Sequence, residues 1–271
     1  MQMKSDPSYK PVAQSTVSYL ELNQAKIPAF KNLKIRQAIS KAINRPEFIK
    51  NVLGDSSLAA KNLTPQNLAQ MPDGTDFSKQ AAKSTSDTTT YDKAAAKKLW
   101  QEGLKEVGIN SLEVEFLTDD SDGAKKSAEY FQSQLQKTLP GLKISITTVP
   151  FKSRLTRSEN GDFDIVNTLW GADFPDPITF LDLMTSNNSY NDGKWQNAKY
   201  DQYIEASKTT HATDSKARFN DLLKAQQILT NDVGVVPIYQ RTQSYLVNTK
   251  LKQLNYSPAN TFNFIHTYFA K

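Results

Sequence analysis

Three β-favouring runs that alternate with two amphipathic runs constrain the fold of this chain most. The β-favouring runs are residues 112–117, 142–149 and 163–169, and helical periodicity marks residues 121–139 and 151–158 between them. A strand, a helix and a second strand in succession form a right-handed crossover, which makes the two strands parallel. The sequence therefore predicts an α/β fold with a mixed, mostly parallel sheet that is flanked by helices.

Helix signals surround this central unit. Apolar residues recur near helical period from Asn32 to Gly54, and Pro46 divides that run into two helices with Asn44 as the cap of the second. Asp92 is predicted to cap a further helix. The remaining predicted elements are that helix to residue 107, helices at 177–185, 198–209 and 214–231, and strands at 17–22, 235–239 and 243–247. Residues 1–16 are predicted to be extended or irregular, and residues 56–90 to form a long surface loop with a Ser/Thr/Asp run at 84–90.

Composition excludes several classes of function. The 271 residues include no cysteine, so disulfides, thiolate metal sites and cysteine nucleophiles are excluded. The net charge is +5, but the lysines are spread along the chain and no nucleic-acid-binding motif accompanies them, so no nucleic-acid partner is predicted. No apolar run approaches the roughly 20 residues that cross a membrane.

Residues 161–177, GDFDIVNTLWGADFPDP, gather several kinds of binding group at the end of a strand. Trp170 provides an apolar plate, Gly171 allows close approach of a backbone, and Asp173 provides an anion. Ligands of α/β sheets lie beyond the carboxyl ends of strands. The alternative is that Asp173 is a turn former, which aspartate often is in such loops. Asp176 is predicted to cap the helix that begins at Pro177.

Other candidate groups indicate binding rather than catalysis. The five aspartates between residues 162 and 182 could supply an acid pair, but nothing else in the chain completes such a site, and turn, cap and anchor roles explain them equally. His211 and His266 are predicted to be surface residues, and neither a metal nor a cofactor is expected. Trp100 is predicted to lie in the core, whereas Trp195, in a polar loop, is expected to be exposed and to line a cleft.

Three motifs carry a family resemblance. They are IPAFKNLKIRQAISKAINR at residues 27–45, YDKAAAKKLW at 91–100, and GDFDI with WGADFPDP at 161–177; VPIY at 236–239 is a weaker fourth. In this order they resemble the extracytoplasmic solute-binding proteins (family 5) of peptide and nickel ABC importers, in particular the oligopeptide-binding proteins.

The resemblance implies the C-terminal lobe of a protein about twice as long. Members of the family have a type II, cluster C periplasmic-binding-protein fold, in which two lobes enclose the ligand. The implied division is residues 1–22 as N-terminal segment and hinge crossing, 23–242 as the C-terminal α/β lobe, and 243–271 as return hinge and tail packing on the first lobe. The missing N-terminal lobe would then be a partner of this chain and would carry the signal peptide.

The resemblance also implies a binding site and a function. In relatives the strand that matches residues 169–171 pairs with the ligand backbone, and the residue that matches Asp173 binds a peptide ammonium in some. The predicted ligand-binding residues are Leu169, Trp170, Gly171, Ala172 and Asp173, with Trp195 added from its own loop.

The implied protein is a non-enzymatic, monomeric substrate-binding component that captures oligopeptides for an ABC permease and ATPase. It would be an extracytoplasmic lipoprotein of a Gram-positive cell surface, or a periplasmic protein. The alternatives are another solute such as nickel, haem or an oligosaccharide, a carbohydrate hydrolase that uses the aspartates, or a structural or chaperone-like surface protein. An isolated lobe is expected to bind peptide weakly.

Overall fold

The structure is a computed structural model, and it describes residues 5–83, 85, 87–257 and 261–271. Three parts of the predictions above lie outside the described residues: residues 1–4 of the N-terminal segment, Ser84 and Ser86 of the loop, and residues 258–260 of the tail.

One six-stranded sheet organises the described residues. Its strand order is β2-β6-β1-β5-β3-β4. The strands are β1 (Tyr9–Leu22), β2 (Leu58–Ala59), β3 (Leu112–Asp119), β4 (Leu142–Val149), β5 (Ile165–Gly171) and β6 (Val236–Leu246). Four two-residue strands form two small pairs in the tail: β7 (Leu251–Lys252) with β10 (Tyr268–Phe269), and β8 (Asn255–Tyr256) with β9 (Phe262–Asn263).

The sheet is mixed, as predicted, but it is not mostly parallel. Among the described residues β3 pairs in parallel with β4 and with β5, whereas β1 runs antiparallel to both β5 and β6, and β2 antiparallel to β6. The prediction was wrong on this balance because the crossover rule applies only to the strands that helices connect in succession. Strands β1 and β6 come from opposite ends of the chain, and only their pairing in the sheet decides their direction.

Helices cover both faces of the sheet. They are α1 (Leu33–Ala42), α2 (Arg45–Phe48), α3 (Phe77–Lys83), α4 (Lys93–Val107), α5 (Asp122–Thr138), α6 (Phe151–Glu159), α7 (Ile178–Leu181), α8 (Ala198–Lys208) and α9 (Ser215–Asn231). A π-helical turn at Ile49–Leu53 extends α2, and 3-10 turns lie at Pro28–Lys31 and Asp182–Met184. In the described residues no helix has the length and apolar character that crossing a membrane requires.

The predicted helix boundaries follow from the caps. Asp92 accepts the Ala95 N–H at 2.9 Å at the start of α4, and Gly108 ends that helix with a left-handed φ of +76°. Asn44 accepts the Glu47 N–H at 3.2 Å, so α2 begins just before Pro46, as predicted. These ends are confirmed. The sequence could predict them because each depends on the backbone conformation of one residue or on a side-chain bond that spans three residues.

Four predicted elements differ from the structure. Strand β1 begins at Tyr9 rather than near residue 17, and the strands predicted at 235–239 and 243–247 are one strand, β6. Both extensions are polar. They are stabilised because β1 and β6 pair with each other there, starting with Tyr9 opposite Leu246. The predicted loop at 56–90 contains α3, which is short but buries Phe77 and Ala81.

Two apolar layers enclose the sheet. On one face α1, α4 and α5 pack against the sheet. This layer contains Trp100 of α4, Phe131 of α5 and Phe116 of β3. Trp100 is fully buried, as predicted, and its Nε1 donates to the Pro140 carbonyl at 2.8 Å. On the other face α7, α8 and α9 pack over Tyr19 and its neighbours. Burial of these faces is the main source of stability, and it fixes β5 between the two layers.

Two buried arginines of the 27–45 motif bind backbone carbonyls. Arg36, 3% exposed, donates to the carbonyls of Phe30, Lys31, Asp232 and Val233 and to the Asp232 carboxylate at 2.9 Å. Arg45, 2% exposed, donates to the carbonyls of Ser40, Pro237 and Thr89. The two side chains therefore join α1 and α2 to distant segments of the chain.

Candidate ligand-binding site

Strand β5 carries the predicted site from the core to the surface. Ile165 and Val166 are fully buried and anchor its first half, whereas Leu169 is 42% exposed. The strand begins after a turn in which Gly161 has a left-handed φ of +71°, as the Asn-Gly signal indicates. Its carboxyl end therefore emerges from the sheet with its binding groups accessible.

One edge of the outer half of β5 is unpaired in the described chain. Strand β1 pairs with β5 along its whole length, from Leu22↔Ile165 to Thr16↔Gly171, but β3 pairs with β5 only at Ile165 and Val166. The Ala172 N–H donates to the Ser15 carbonyl at 2.8 Å. Because backbone groups alternate in direction along a strand, those of Leu169 and Gly171 point away from β1. This unpaired edge can accept one more strand.

Asp173 lies just beyond this edge with its carboxylate exposed. Thr179 orients it: the Thr179 hydroxyl donates to Asp173 Oδ2 at 3.2 Å and accepts the Asp173 N–H at 3.1 Å. Within the described part of the chain, no lysine, arginine or histidine forms an ion pair with Asp173. The carboxylate is therefore held in place and available to a cation.

An open pocket of about 890 Å³ adjoins Asp173. Trp170 and Tyr190 form one wall, with ring centroids 5.0 Å apart and planes inclined by 64°. Phe174, which is 47% exposed, lies on the rim. Asp182 also lines the pocket but pairs with Lys208, so the pocket combines exposed aromatic surface with the unpaired Asp173 carboxylate, a combination that suits an amphipathic ligand.

The structure brings together four of the six predicted site residues. Trp170 and Asp173 line the pocket, and Leu169 and Gly171 lie along the unpaired edge. Ala172 is buried, and its N–H already donates to the Ser15 carbonyl. It can therefore help to position its neighbours, but it offers no free backbone donor to a ligand. A role for these residues in binding stays a prediction.

Trp195 is not exposed, and that expectation was wrong. Its side chain is 1% exposed, its ring packs edge-on against Tyr200, and its Nε1 donates to Asp232. The polar loop closes over the ring, because the Asn191 side chain bonds both the N–H and the carbonyl of Trp195. Sequence pattern alone could not reveal this, since Tyr200 lies on α8 and Asp232 follows the end of α9.

The neighbouring aspartates have structural partners. Asp176 accepts the Ile178 N–H at 2.9 Å, a cap-like bond at the start of α7, and both its oxygens accept from Arg218. Asp164 accepts the Glu115 N–H at 2.7 Å and pairs with Lys26. Asp162 pairs with Arg157 at 2.8 Å, and Asp182 with Lys208 at 2.9 Å. The anchor and cap interpretation therefore accounts for these four carboxylates.

Neither histidine is among the described residues that line this pocket. His211 Nδ1 is 2.5 Å from the Asp221 carboxylate, and His266 is exposed in the tail. Among the described residues no group of three or more histidine, aspartate or glutamate side chains could hold a metal ion.

Sequence reasoning missed a buried acid near β5. Glu21 is 1% exposed, and burial, reinforced by the nearby Asp192 carboxylate, raises its pKa to about 8. Burial likewise raises the pKa of Asp192 to about 6. A signal was present, because Val17, Tyr19 and Glu21 alternate along β1 and the first two are core residues. A glutamate at a core position of a strand indicates a polar partner beside it.

The chain belongs to the bacterial extracellular solute-binding proteins of family 5, since the model of the middle part of that family matches residues 1–192. The dipeptide-binding protein of Lactococcus lactis subsp. cremoris (strain MG1363) is 35% identical over 93% of this chain and 47% of its own. The chain therefore spans about half the length of this curated relative.

Solved structures show the same fold. Listeria monocytogenes OppA bound to peptide is 36% identical, with a TM-score of 0.83 over 100% of this chain and 52% of its own. A crystal structure of the peptide-binding protein of a peptide ABC transporter is 40% identical, with a TM-score of 0.78 over 83% of this chain and 98% of that one. The predicted type II periplasmic-binding-protein-like fold is thereby confirmed.

Proposed function

We propose that this chain is the C-terminal lobe of the substrate-binding component of an ABC importer, and that it captures oligopeptides for uptake. The single observation that carries the proposal is the unpaired edge of β5 at Leu169 and Gly171, next to the exposed Asp173. An extended peptide offers the backbone N–H and carbonyl groups that such an edge lacks. The names of the relatives, one a dipeptide-binding protein and one bound to peptide, support the same class of ligand.

In this proposal each part of the site has one role. Leu169 and Gly171 pair with the peptide backbone, and Trp170 provides an apolar wall. Asp173 accepts hydrogen bonds from the α-ammonium group of the peptide. A charge-assisted bond of this kind contributes about 1.5–3 kcal/mol when it is shielded from water. No covalent change is made to the peptide, which agrees with the aspartates around β5 being occupied by structural partners.

We further propose that closure against a second lobe completes the site. Residues 9–13 of β1 pair with residues 242–246 of β6 beyond the point where β5 joins the sheet, and an irregularity follows at Ala13/Val17. This two-stranded ribbon is the natural crossing between lobes, since residues 17–22 are buried within the sheet of this lobe. We therefore propose the crossing at residues 9–13 and 242–246, so that residues 17–22, which the division into 1–22, 23–242 and 243–271 assigns to the hinge segment, contribute a strand to this lobe.

The tail supports this division. Its most exposed apolar side chains are Leu246 at 58%, Phe264 at 61%, Ile265 at 80% and Phe269 at 65%. Exposed apolar surface of this extent marks a contact surface in a soluble protein. The tail would pack on the N-terminal lobe, and the complete protein would act as a monomeric lipoprotein or periplasmic protein that delivers peptide to a permease and its ATPase.

Mass spectrometry of the ligands that co-purify with the full-length protein tests the proposal. We expect peptides of mixed sequence, because edge pairing recognises backbone and not side chains. A full-length Gly171→Pro variant purified in parallel is the control, since it blocks the edge and should lose the peptides. One defined non-peptide molecule, such as haem, a nickel complex or an oligosaccharide, would overturn the proposal, and so would recovery of cleaved peptides after incubation with intact ones.

A further inference from the structure

Strand β4 forms one end of the six-stranded sheet, and its outer side faces no other strand of the described chain. Its inner side pairs in parallel with β3 over all eight residues, from Leu112↔Leu142 to Asp119↔Val149. An end strand of this length presents a row of backbone N–H and carbonyl groups to any strand that approaches it. We call the outer side of residues 142–149 the β4 edge.

The sequence of the β4 edge favours pairing with another chain. Residues 144–149 read ISITTV, an uncharged run in which every residue except Ser145 is β-branched. Short uncharged segments of high β-propensity that lack proline and glycine are the ones that form strand contacts between chains. Gly141 and Pro150 lie outside the run, so neither interrupts it. An edge of this composition is an association hazard unless something occupies it.

Two glutamines of α5 occupy the backbone of one residue within this edge. Gln132 Nε2 donates to the Ile144 carbonyl at 2.7 Å, and the Ile144 N–H donates to Gln136 Oε1 at 2.7 Å. Gln132 and Gln136 are about one turn apart, so they lie on the same side of the helix. The N–H and the carbonyl of a strand residue point to the same side, and for Ile144 that side is away from β3.

These bonds shorten the part of the edge that another strand could use. The outward backbone groups belong to every second residue, which on β4 are Leu142, Ile144, Ile146 and Thr148. The Leu142 N–H donates to the Leu139 carbonyl at 3.2 Å, and the glutamines take both groups of Ile144. An incoming strand must therefore displace both glutamine side chains before it can pair along the edge.

The opposite end of the sheet is limited in a similar way. The strand there, β2, has two residues and pairs with β6 at Tyr239 and Gln240. Further along β6, the Thr242 N–H donates to the Ser57 hydroxyl at 3.1 Å. A side chain that bonds an outward backbone group thus occurs at both ends of the sheet.

We propose that Gln132 and Gln136 keep the β4 edge from pairing with the β4 edge of a second copy of this chain. A second copy is the partner that the observations favour, because it presents the same uncharged run and can pair with it about a two-fold axis. The glutamines compete with that pairing for the N–H and the carbonyl of Ile144. The inference is independent of the proposed capture of peptides, since β3 lies between β4 and β5 in the sheet.

Sedimentation velocity on the full-length protein tests the inference. In Gln132→Ala/Gln136→Ala we expect self-association to strengthen by about tenfold or more, because two backbone groups of each copy lose their partners within the chain. The control is Gln101→Ala/Gln202→Ala, which removes exposed glutamines from α4 and α8 and should associate no more than the unmodified protein. The two double variants have the same composition, so a difference between them reports the position of the glutamines.

Hydrogen exchange followed by mass spectrometry locates the contact. In the double variant at Gln132 and Gln136, peptides that cover residues 142–149 should exchange faster than in the unmodified protein when dilute, and slower again when concentrated. If that variant does not fold, each single variant should show part of the gain, and a gain in neither overturns the inference. Equal association of all the proteins overturns it. So does association that leaves exchange at residues 142–149 unchanged, or exchange there that already slows with concentration in the unmodified protein.

Discussion

Asp173 can serve as an anion because its single side-chain partner in the described chain is Thr179. We predict that Asp173→Asn in the full-length protein weakens binding of a peptide with a free amino terminus by about 10- to 100-fold, because a charge-assisted bond becomes a neutral one. Calorimetry with one peptide measures the loss.

The matched control for Asp173 is Asp120→Asn, which changes an exposed aspartate in the turn before α5. It should leave affinity unchanged. An N-acetylated peptide should bind both Asp173→Asn and the unmodified protein equally. If Asp173→Asn had no effect on the free-amine peptide, Asp173 would only border the cleft.

Arg36 stabilises the junction of α1 with the end of α9. We predict that Arg36→Ala lowers the free energy of unfolding by about 3–5 kcal/mol, because Asp232 and several carbonyls lose their donor inside the protein. Urea unfolding followed by circular dichroism measures the change. Arg241→Ala, at an exposed site, should cost less than about 0.5 kcal/mol. Equal losses in the two variants would contradict the role given to Arg36.

Glu21 makes stability depend on pH. Its pKa is about 8 in the folded protein against an ordinary value of 4.5, so between these values the folded state holds a proton that the unfolded chain releases. Stability therefore falls as pH rises through this window, by on the order of a few kcal/mol. Asp192 adds a smaller decline between its ordinary value of 3.8 and about 6.

The prediction is that Glu21→Gln flattens this decline. The amide has nearly the shape of the protonated acid, so the variant should match the unmodified chain near pH 5 and exceed it in stability at pH 8. Urea unfolding at half-unit intervals from pH 5 to 8 gives the two curves. Glu129→Gln, which changes an exposed glutamate on α5, should keep the original slope, and identical slopes in all three chains would refute the assignment to Glu21.

Among the elements, β5 can gain a partner strand without losing its own. We predict that Gly171→Pro abolishes peptide binding by the full-length protein, because proline removes the N–H that points to the unpaired edge and places its ring there. The pairing of β5 with β1 uses the backbone of Trp170 and Ala172, so the fold should persist. Calorimetry and circular dichroism measure the two effects.

A change in the ligand provides the control for this edge. A peptide that is N-methylated at alternate residues should bind when its methyl groups point away from β5 and fail when the pattern is shifted by one residue. Equal binding of the two patterns would mean that the ligand is not held as an added strand.

At the scale of the whole molecule, the proposed function makes this chain one wall of a cleft. Binding sites for small ligands bury most of the ligand surface, and a single lobe leaves one side of a peptide in water. We predict that the isolated 271 residues bind a given peptide at least about 100-fold more weakly than the full-length protein. Calorimetry on both proteins with the same peptide measures this, and equal affinities would contradict a two-lobed site.

The elements that sequence predicted well are those whose causes are local. The cap at Asp92, the left-handed Gly108 and the break before Pro46 each act within a few residues, so pattern and residue type suffice. The two crossovers that join β3, β4 and β5 follow from chain connectivity. The candidate site was found in the same way, since Trp170 and Asp173 lie in one continuous motif.

The elements that sequence mispredicted depend on partners far along the chain. Strand β6 continues through polar residues because β1 pairs with it, and Trp195 is buried because Asp232, 37 residues away, accepts its N–H. Periodicity reports only the average environment of a segment, so it cannot detect either partner.

By itself, the sequence determined the α/β class, the caps, the family motifs and the position of a candidate site at the end of β5. Only the tertiary structure decided that the outer half of one edge of β5 stays unpaired in the described chain, that Trp195 belongs to the core, and that Glu21 lies near Arg154 and Asp192. The physical reason is the same in each case. Strand pairing and the desolvation of a charge depend on which distant segments meet, and that is settled when the whole chain folds.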